Sequence, residues 1–376
     1  MVVGATGQIG RAAVTALAGD GWEVTAVSRG GGRDESWPAQ VRTARADRED
    51  DAALAAAVGD GCEVLVDVVA YGPAHAGQLV SLADRVGSAV VISSVSVYED
   101  DKGRGFDTQG EPEGFPEYPV PMTEEQRTVT PGDSSYSTRK AGLERELLAA
   151  GDRLPTTLLR AGAIHGPYSP LPRELYFVKR NLDGRARRVL SYRGRSRFHT
   201  ASTHNIAELI RLASLRPGSR VLNTCDPEVL TAAEIGAAID AVMGVTTETV
   251  LLEGPPRAQS VGRTPWSTRL PVVADMSAAE RELGYRPVLS YTESLPETVD
   301  WLARRLDRQD WREAFPALAG VYPDLFDYPA EDAFVNACGG GPDPGPPPQH
   351  RRTAYGLGVA CGVQVTSALS SLPVSR

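Results

Sequence analysis

The sequence predicts an α/β protein: a Rossmann-type, doubly wound parallel sheet with a smaller mixed C-terminal substrate lobe. Three observations predict it. Short β-rich runs alternate with helical stretches through the first half of the chain, the signature of βαβ units. The runs Val64–Ala70 and Ala89–Ser93 are almost purely apolar, as parallel strands buried on both faces must be. A glycine-rich turn, Gly4-Ala-Thr-Gly7-Gln-Ile-Gly10, stands between the first β-rich run and the first helical stretch.

Met1–Val3 reads as a strand, and a short one, because only three residues precede Gly4. Gln8–Ala18 reads as a helix that Gly19, Asp20 and Gly21 end. Glu23–Ser28 alternates and is β-rich, and Val41–Ala46 is a weaker strand. Asp50–Val58 is an alanine-rich helix whose acids sit at the positive end of its dipole. The pattern stops between Tyr98 and Ser135, where five prolines, several glycines and many acids crowd together. A loop that long is usually functional, and it reads either as a lid over the cofactor side or as an inserted ornament. Ser137–Ala149 is helical and Thr156–Arg160 a strand. Past Gly166 the chain is less regular, with helical patterns over Ile206–Leu215, Ala232–Met243, Ser277–Leu283 and Tyr291–Arg305.

The 376 residues allow about two domains. We expect a nucleotide-binding sheet domain over 1–164, with 98–135 as its long loop. A C-terminal lobe over 165–337 follows, part of it returning to the sheet. The tail, 338–376, contains GGGPDPGPPP and is expected to be disordered or weakly docked. Net charge is −9, of which the tail contributes +2 and the rest −11. So acidic a body argues against nucleic acid or an anionic membrane as partner. Cys62, Cys225, Cys338 and Cys361 are far apart and form no CxxC pair, which suggests neither a disulfide framework nor a zinc site. The histidines form no metal set either. No run of eighteen apolar residues occurs, and the start lacks the form of a signal peptide. A reducing, cytoplasmic setting is the expectation.

The glycine turn carries the first chemistry. Gly4 permits a tight bend, Gly7 lets the backbone approach a pyrophosphate, and Gly10 lets the helix pack closely. The helix N-terminus then offers free N–H groups and partial positive charge. Gly4, Thr6, Gly7, Gln8, Ile9 and Gly10 are thus candidate dinucleotide contacts. About twenty residues on, an NAD reader usually carries Asp or Glu for the ribose 2′-hydroxyl. This chain has Ser28-Arg29 there, with Arg33 nearby. Guanidinium pairs with a 2′-phosphate that a carboxylate would repel, so NADP(H) is favoured over NAD(H).

Tyr136-Ser-Thr-Arg-Lys140 puts a phenol and an ammonium one helical turn apart on one face. Ser93-Ser94-Val95-Ser96-Val97-Tyr98 follows a buried strand, and open α/β sheets bind ligands beyond the carboxyl ends of their strands. At these residues the sequence resembles the extended short-chain dehydrogenase/reductase family, also called the NAD-dependent epimerase/dehydratase family. The matching pieces run in the family's order. They are GATGQIG, Asp47 after the third strand, SSVSVY at 93–98, and Tyr136-x-x-x-Lys140 with Glu144 following. Arg160-Ala-Gly-Ala-Ile-His-Gly-Pro167 and Glu282-Leu-Gly-Tyr-Arg-Pro287 complete the set. Together they span roughly residues 1–305.

The resemblance implies roles. Tyr136 would be the acid/base, and Lys140 would hold the nicotinamide ribose and lower the phenol's pKa, which is about 10 when free. Ser94 would hydrogen-bond the substrate oxygen, with Ser93 as the neighbouring alternative. Asp47, with Arg48 beside it, would meet the adenine amino group. Val69, Ala70 and Tyr71 would line the adenosine side, and Ala163 and Ile164 would add contacts beyond the next strand. The activity implied is hydride transfer at a carbinol or carbonyl carbon, as a net reduction or within an epimerisation, in a subunit that pairs as a homodimer.

Departures from the family pattern narrow the substrate. Val95-Ser96 stand where sugar-nucleotide 4,6-dehydratases place Asp-Glu. Ala163 stands where epimerases and dehydratases that grip nucleotide sugars often have Asn, which removes an expected diphosphate ligand. Asn205 replaces a usual Asp. Lys179–Arg197 carries eight basic residues against one acid. It reads as a basic wall for an anionic substrate or as a solvated or oligomer-facing loop. Arg195 and Arg197 are the candidate anion contacts, and His165 a candidate that faces substrate. The rival reading is a dinucleotide-binding sensor or an RNA-binding relative. The joint presence of Ser94, Tyr136 and Lys140 argues against the sensor, and the acidic body against RNA.

Overall fold

The computed structural model describes residues 1–338; the tail beyond Cys338 lies outside them. In chain order the first half contains β1 (Val2–Val3), α1 (Gln8–Gly19), β2 (Thr25–Ser28), β3 (Arg42–Arg45), α2 (Asp51–Val58), β4 (Cys62–Asp67), α3 (Pro73–Ser81), β5 (Val86–Ser94), α4 (Tyr136–Ala149) and β6 (Thr156–Ala161). The second half contains β7 (Ala163–His165), α5 (Leu175–Leu182), β8 (Arg187–Leu190), β9 (Thr200–Ser202), α6 (Thr203–Leu215), β10 (Arg220–Thr224), α7 (Ala232–Met243), β11 (Glu248–Leu251), α8 (Ser277–Leu283), α9 (Tyr291–Leu306), α10 (Trp311–Ala314), α11 (Pro316–Val321) and α12 (Tyr328–Ala337).

Seven strands form one parallel sheet in the order β10-β6-β5-β4-β1-β2-β3. The order reverses between β1 and β4, and the carboxyl ends of those strands open onto the crevice where such sheets take ligands. One face is covered by α1, α6 and α8, whose apolar residues join Val2, Val66, Ile92 and Leu222. The other is covered by α2, α3 and α4 around Leu65, Val91, Leu143 and Leu158. With both faces buried, strands such as β5 become continuous apolar runs. As expected, β1 is short. Beside it, between the starts of β2 and β4, lies a notch of about 790 Å³ lined by Leu17, Trp22, Val24 and Val64.

The remaining elements form the second lobe around a core of Tyr176, Phe177, Phe198, Ile235, Trp266, Tyr291 and Leu295. It includes two small parallel pairs, β7 with β9 and β8 with β11. The 98–135 segment is not a lid in this structure. Its Tyr98, Phe106, Tyr118 and Met122 are buried in the second lobe's core. Tyr98 Oη donates to Asn223 Oδ1 on β10 at 2.6 Å, and Tyr118 Oη donates to the Tyr98 carbonyl. The Met122 backbone bonds Val273 and Asp275. Aromatic and sulfur side chains bury large apolar area, which holds the loop inside. No helix among the described residues is long and apolar enough to cross a membrane.

Candidate active site

A cleft of about 430 Å³ opens above the carboxyl ends of β1, β4 and β5. Its floor is the glycine turn. Gly4 holds φ +82°, and a Cβ there would sit 2.7 Å from a Val69 methyl, so the turn admits only glycine. A Cβ on Gly10 would fall 2.2 Å from the Gly4 carbonyl oxygen, which is the close helix–turn packing the spacing implied. Gly7 caps α1 without a side chain, and the first N–H groups of the helix are left for a ligand. Gln8 Nε2 donates to the Gly166 carbonyl at 3.3 Å, tying the turn to the second lobe.

The wall opposite the turn comes from β5 and α4. Ser135 caps α4, accepting from the Thr138 N–H at 3.1 Å, so Tyr136 starts the helix and Lys140 follows one turn later. Both line the cleft with Tyr71, Ser93 and Ser94. Lys140 Nζ donates to the Ala70 carbonyl at 2.6 Å and the Ile92 carbonyl at 2.7 Å. It stands 5.7 Å from the centroid of the Tyr136 ring and 5.2 Å from that of Tyr71. The two rings meet edge to face at 6.1 Å. Burial pushes the ammonium down to about 8, against the opposing pull of Asp67 and Glu144.

The two serines have separate tasks. Ser93 Oγ donates to Glu144 Oε1 at 2.6 Å, and Arg160 grips both oxygens of that carboxylate at 3.0 and 2.6 Å. This buried network uses Ser93 in holding β5, β6 and α4 together. Ser94 Oγ accepts from the Ser96 N–H at 3.1 Å, and its own proton goes to no protein atom among the described residues. Ser94 is therefore the hydroxyl available to the cleft.

Several expected contacts lie elsewhere. Arg33 donates to the carbonyls of Val41, Trp37 and Pro38, so it staples its own loop instead of facing a phosphate. Arg48 is buried, 2.8 Å from Asp67, and does not line the cleft. Ala70 contributes only its carbonyl to Lys140. Ala163 turns into the second lobe's core, whereas its neighbours Gly162 and Ile164 line the cleft. His165 is fully buried, with Nε2 2.6 Å from Asp226 Oδ2. Burial opposes its charge, yet the Asp226 carboxylate prevails and raises its pKa. Arg195 and Arg197 are exposed on the second lobe, outside the cleft lining. Arg29 is exposed at the end of β2, and Asp47 past the end of β3. Beside Arg29 the Ser28 hydroxyl is buried without a partner.

A cation that joins Lys140 in the cleft is Arg173, which the sequence reading missed. It half-emerges beside Leu171 and Pro170, 5.3 Å from the Phe198 ring centroid and 5.8 Å from that of Trp266. Among the described residues no carboxylate pairs with it. A signal was present: Arg173 stands just before Glu174, the cap of α5, and a cation near a helix N-terminus is disfavoured unless something else places it there.

The orphaned Ser28 hydroxyl, the uncapped helix start and the glycine cradle fit a dinucleotide. Fold and cleft together define a Rossmann protein of the dinucleotide-binding class. Residues 4–131 match the model of a family described as NAD(P)H-binding. The fold is shared with several solved sugar-nucleotide-binding proteins and UDP-sugar 4-epimerases. Among solved structures, MoeE5 in complex with UDP-glucose and NAD is 21% identical. The match covers 81% of this chain and 98% of that one, with a TM-score of 0.59. The UDP-glucose 4-epimerase of Thermotoga maritima, solved with UDP-glucose, is 20% identical over 81% and 98%, at 0.61. The UDP-N-acetylglucosamine 4-epimerase of Bacillus cereus is 16% identical over 80% and 98%, at 0.60. No curated protein sequence matches the chain.

Proposed function

We propose that this chain is an NAD(P)-dependent enzyme of the extended short-chain dehydrogenase/reductase type. It exchanges a hydride with the carbinol or carbonyl carbon of a small anionic molecule. The observation that carries the reading is the meeting of Ser94, Tyr136 and Lys140 in one cleft above the glycine turn. Ser94 and the Tyr136–Lys140 pair come from two separate stretches of sequence, and their meeting in one cleft is what service to one ligand requires. When bound, a nicotinamide supplies or accepts the hydride. Tyr136 gives its phenolic proton to the substrate oxygen on reduction and takes it back on oxidation. Lys140, fixed by two carbonyls, favours the phenolate by its charge. Ser94 donates a hydrogen bond to the same oxygen. Arg173 takes the substrate's anionic group, the part first sought at Arg195 and Arg197. Its guanidinium is backed by aromatic rings and claimed by no carboxylate among the described residues.

NADP(H) remains the favoured cofactor. Arg29, free at the end of β2, would pair with the 2′-phosphate over the Ser28 hydroxyl, while Arg33 takes no part. The test is a Tyr136→Phe variant followed at the nicotinamide absorbance with a carbonyl and carbinol panel. Turnover should fall by about 10²–10⁴-fold while cofactor affinity is retained. Undiminished turnover would remove the proposal. In the same assay Arg29→Ala should weaken NADP(H) and leave NAD(H) unaltered.

A further inference from the structure

A second, small cavity lies in the C-terminal lobe, where polar groups stand among the apolar walls of Phe115 and Pro256, and it shares no lining residue with the active cleft. It measures about 40 Å³, room for about three waters or one tetrahedral oxyanion. Gln109 of the 98–135 segment lines it. So do Tyr192, just after β8, Tyr322, and the loop residues Arg263, Ser267 and Arg269.

Two features of this lining call for a ligand. Gln109 is 5% exposed, yet neither its amide nitrogen nor its amide oxygen has a partner. A buried polar group left unpaired costs free energy comparable to a lost hydrogen bond. In addition, no carboxylate among the described residues pairs with Arg263 or Arg269. By contrast Lys179, Arg180, Arg185, Arg187, Arg188 and Arg193 of the same lobe all have acidic partners. Arg263 is held over the Tyr322 ring at 5.0 Å.

We propose that this cavity binds a small protonated oxyanion, of which hydrogenphosphate is the simplest. The two guanidinium groups neutralise its charge, and the Gln109 N–H donates to one oxygen. The Gln109 carbonyl accepts the anion's O–H, so both ends of the amide are satisfied at once. Sulfate carries no proton at neutral pH and leaves that carbonyl unpaired.

Inorganic phosphate, titrated calorimetrically into the full chain at constant ionic strength, tests this. Saturable binding is expected, with sulfate weaker. Arg263→Met and Arg269→Met should each weaken phosphate by about tenfold or more, and Gln109→Leu should weaken it as well. Both arginines project from a loop, so those variants remain informative if Gln109→Leu fails to fold. Phosphate held at the glycine turn would not respond to them. No saturable phosphate binding, undiminished binding in both arginine variants, or equal affinity for sulfate overturns the proposal.

Discussion

Lys140 governs the electrostatics of the cleft, and its burial makes a measurable prediction. Its folded pKa, about 8, lies below the unfolded value of about 10.4. Between those values the unfolded chain binds more protons, so this group's contribution to stability rises as the pH is raised from about 8 toward 10. Urea midpoints of the cofactor-free protein should show that rise, and Lys140→Met should flatten it. For Arg173, truncation to Met should raise KM for an anionic substrate by about 10–100-fold, the worth of a charged hydrogen bond, and leave a neutral analogue unchanged. Equal effects on both would remove Arg173 from substrate recognition. The pairing of Tyr136 with Lys140 was legible because a spacing of four residues fixes a shared helix face. Arg173 was not legible as a contact, because charge density identifies a segment and not its partners. The dense basic stretch drew attention to Arg195 and Arg197, yet most of its charges hold the second lobe together through acids distant in sequence.

At the scale of elements, α4 shows how a cap serves chemistry. Ser135 accepts from the Thr138 N–H and donates to Asp107 Oδ2 at 2.6 Å, so the start of the helix is pinned both to itself and to the 98–135 segment. Ser135→Ala should cost about 1 kcal/mol of stability. Because Tyr136 is the next residue, kcat should fall while cofactor affinity holds, and Ser135→Thr should restore both. Six of the seven sheet strands and most helices were legible because buried parallel strands are largely apolar and helices carry caps; β10, Arg220–Thr224, was passed over. The helix Pro73–Ser81 was passed over, since His75, Gly77 and Gln78 give it little apolar periodicity; its signal was proline in the first turn. The pairs β7–β9 and β8–β11 have strands of three or four residues, too short for alternation to register. The 98–135 segment resisted reading for another reason: its few buried aromatics are scattered among prolines and acids, with no period to reveal them.

For the whole molecule, Asp226 is the junction. It follows β10 and receives the Ser202 N–H at 2.7 Å, Asn205 Nδ2 at 2.8 Å and the His165 ring at 2.6 Å, joining sheet, α6 and second lobe. His165 and Asn205, first read as a substrate contact and a missing family acid, thus meet on one carboxylate. Burial works against the His165 charge, but Asp226 outweighs it and holds the His165 pKa above the ordinary value, while the same pairing holds Asp226 below its own. The histidine's contribution is full below about 6.5 and lost as pH rises through its raised folded value. The aspartate's is full above about 3.9 and lost as pH falls through its depressed one. Asp226→Asn should therefore cost most between those limits, by about 3–5 kcal/mol, and chemical denaturation across pH 4–8 would measure it. A final consequence follows from the path of the chain after β5. Ser94 and Tyr136 are the two ends of a single excursion whose middle is rooted in the opposite lobe. Prising the halves apart would drag on the Ser94 and Tyr136 hydroxyls at once, so the molecule is jointed like a mortise, not a jaw. A ligand would enter past the half-exposed Tyr168, with the placing of those two hydroxyls intact throughout.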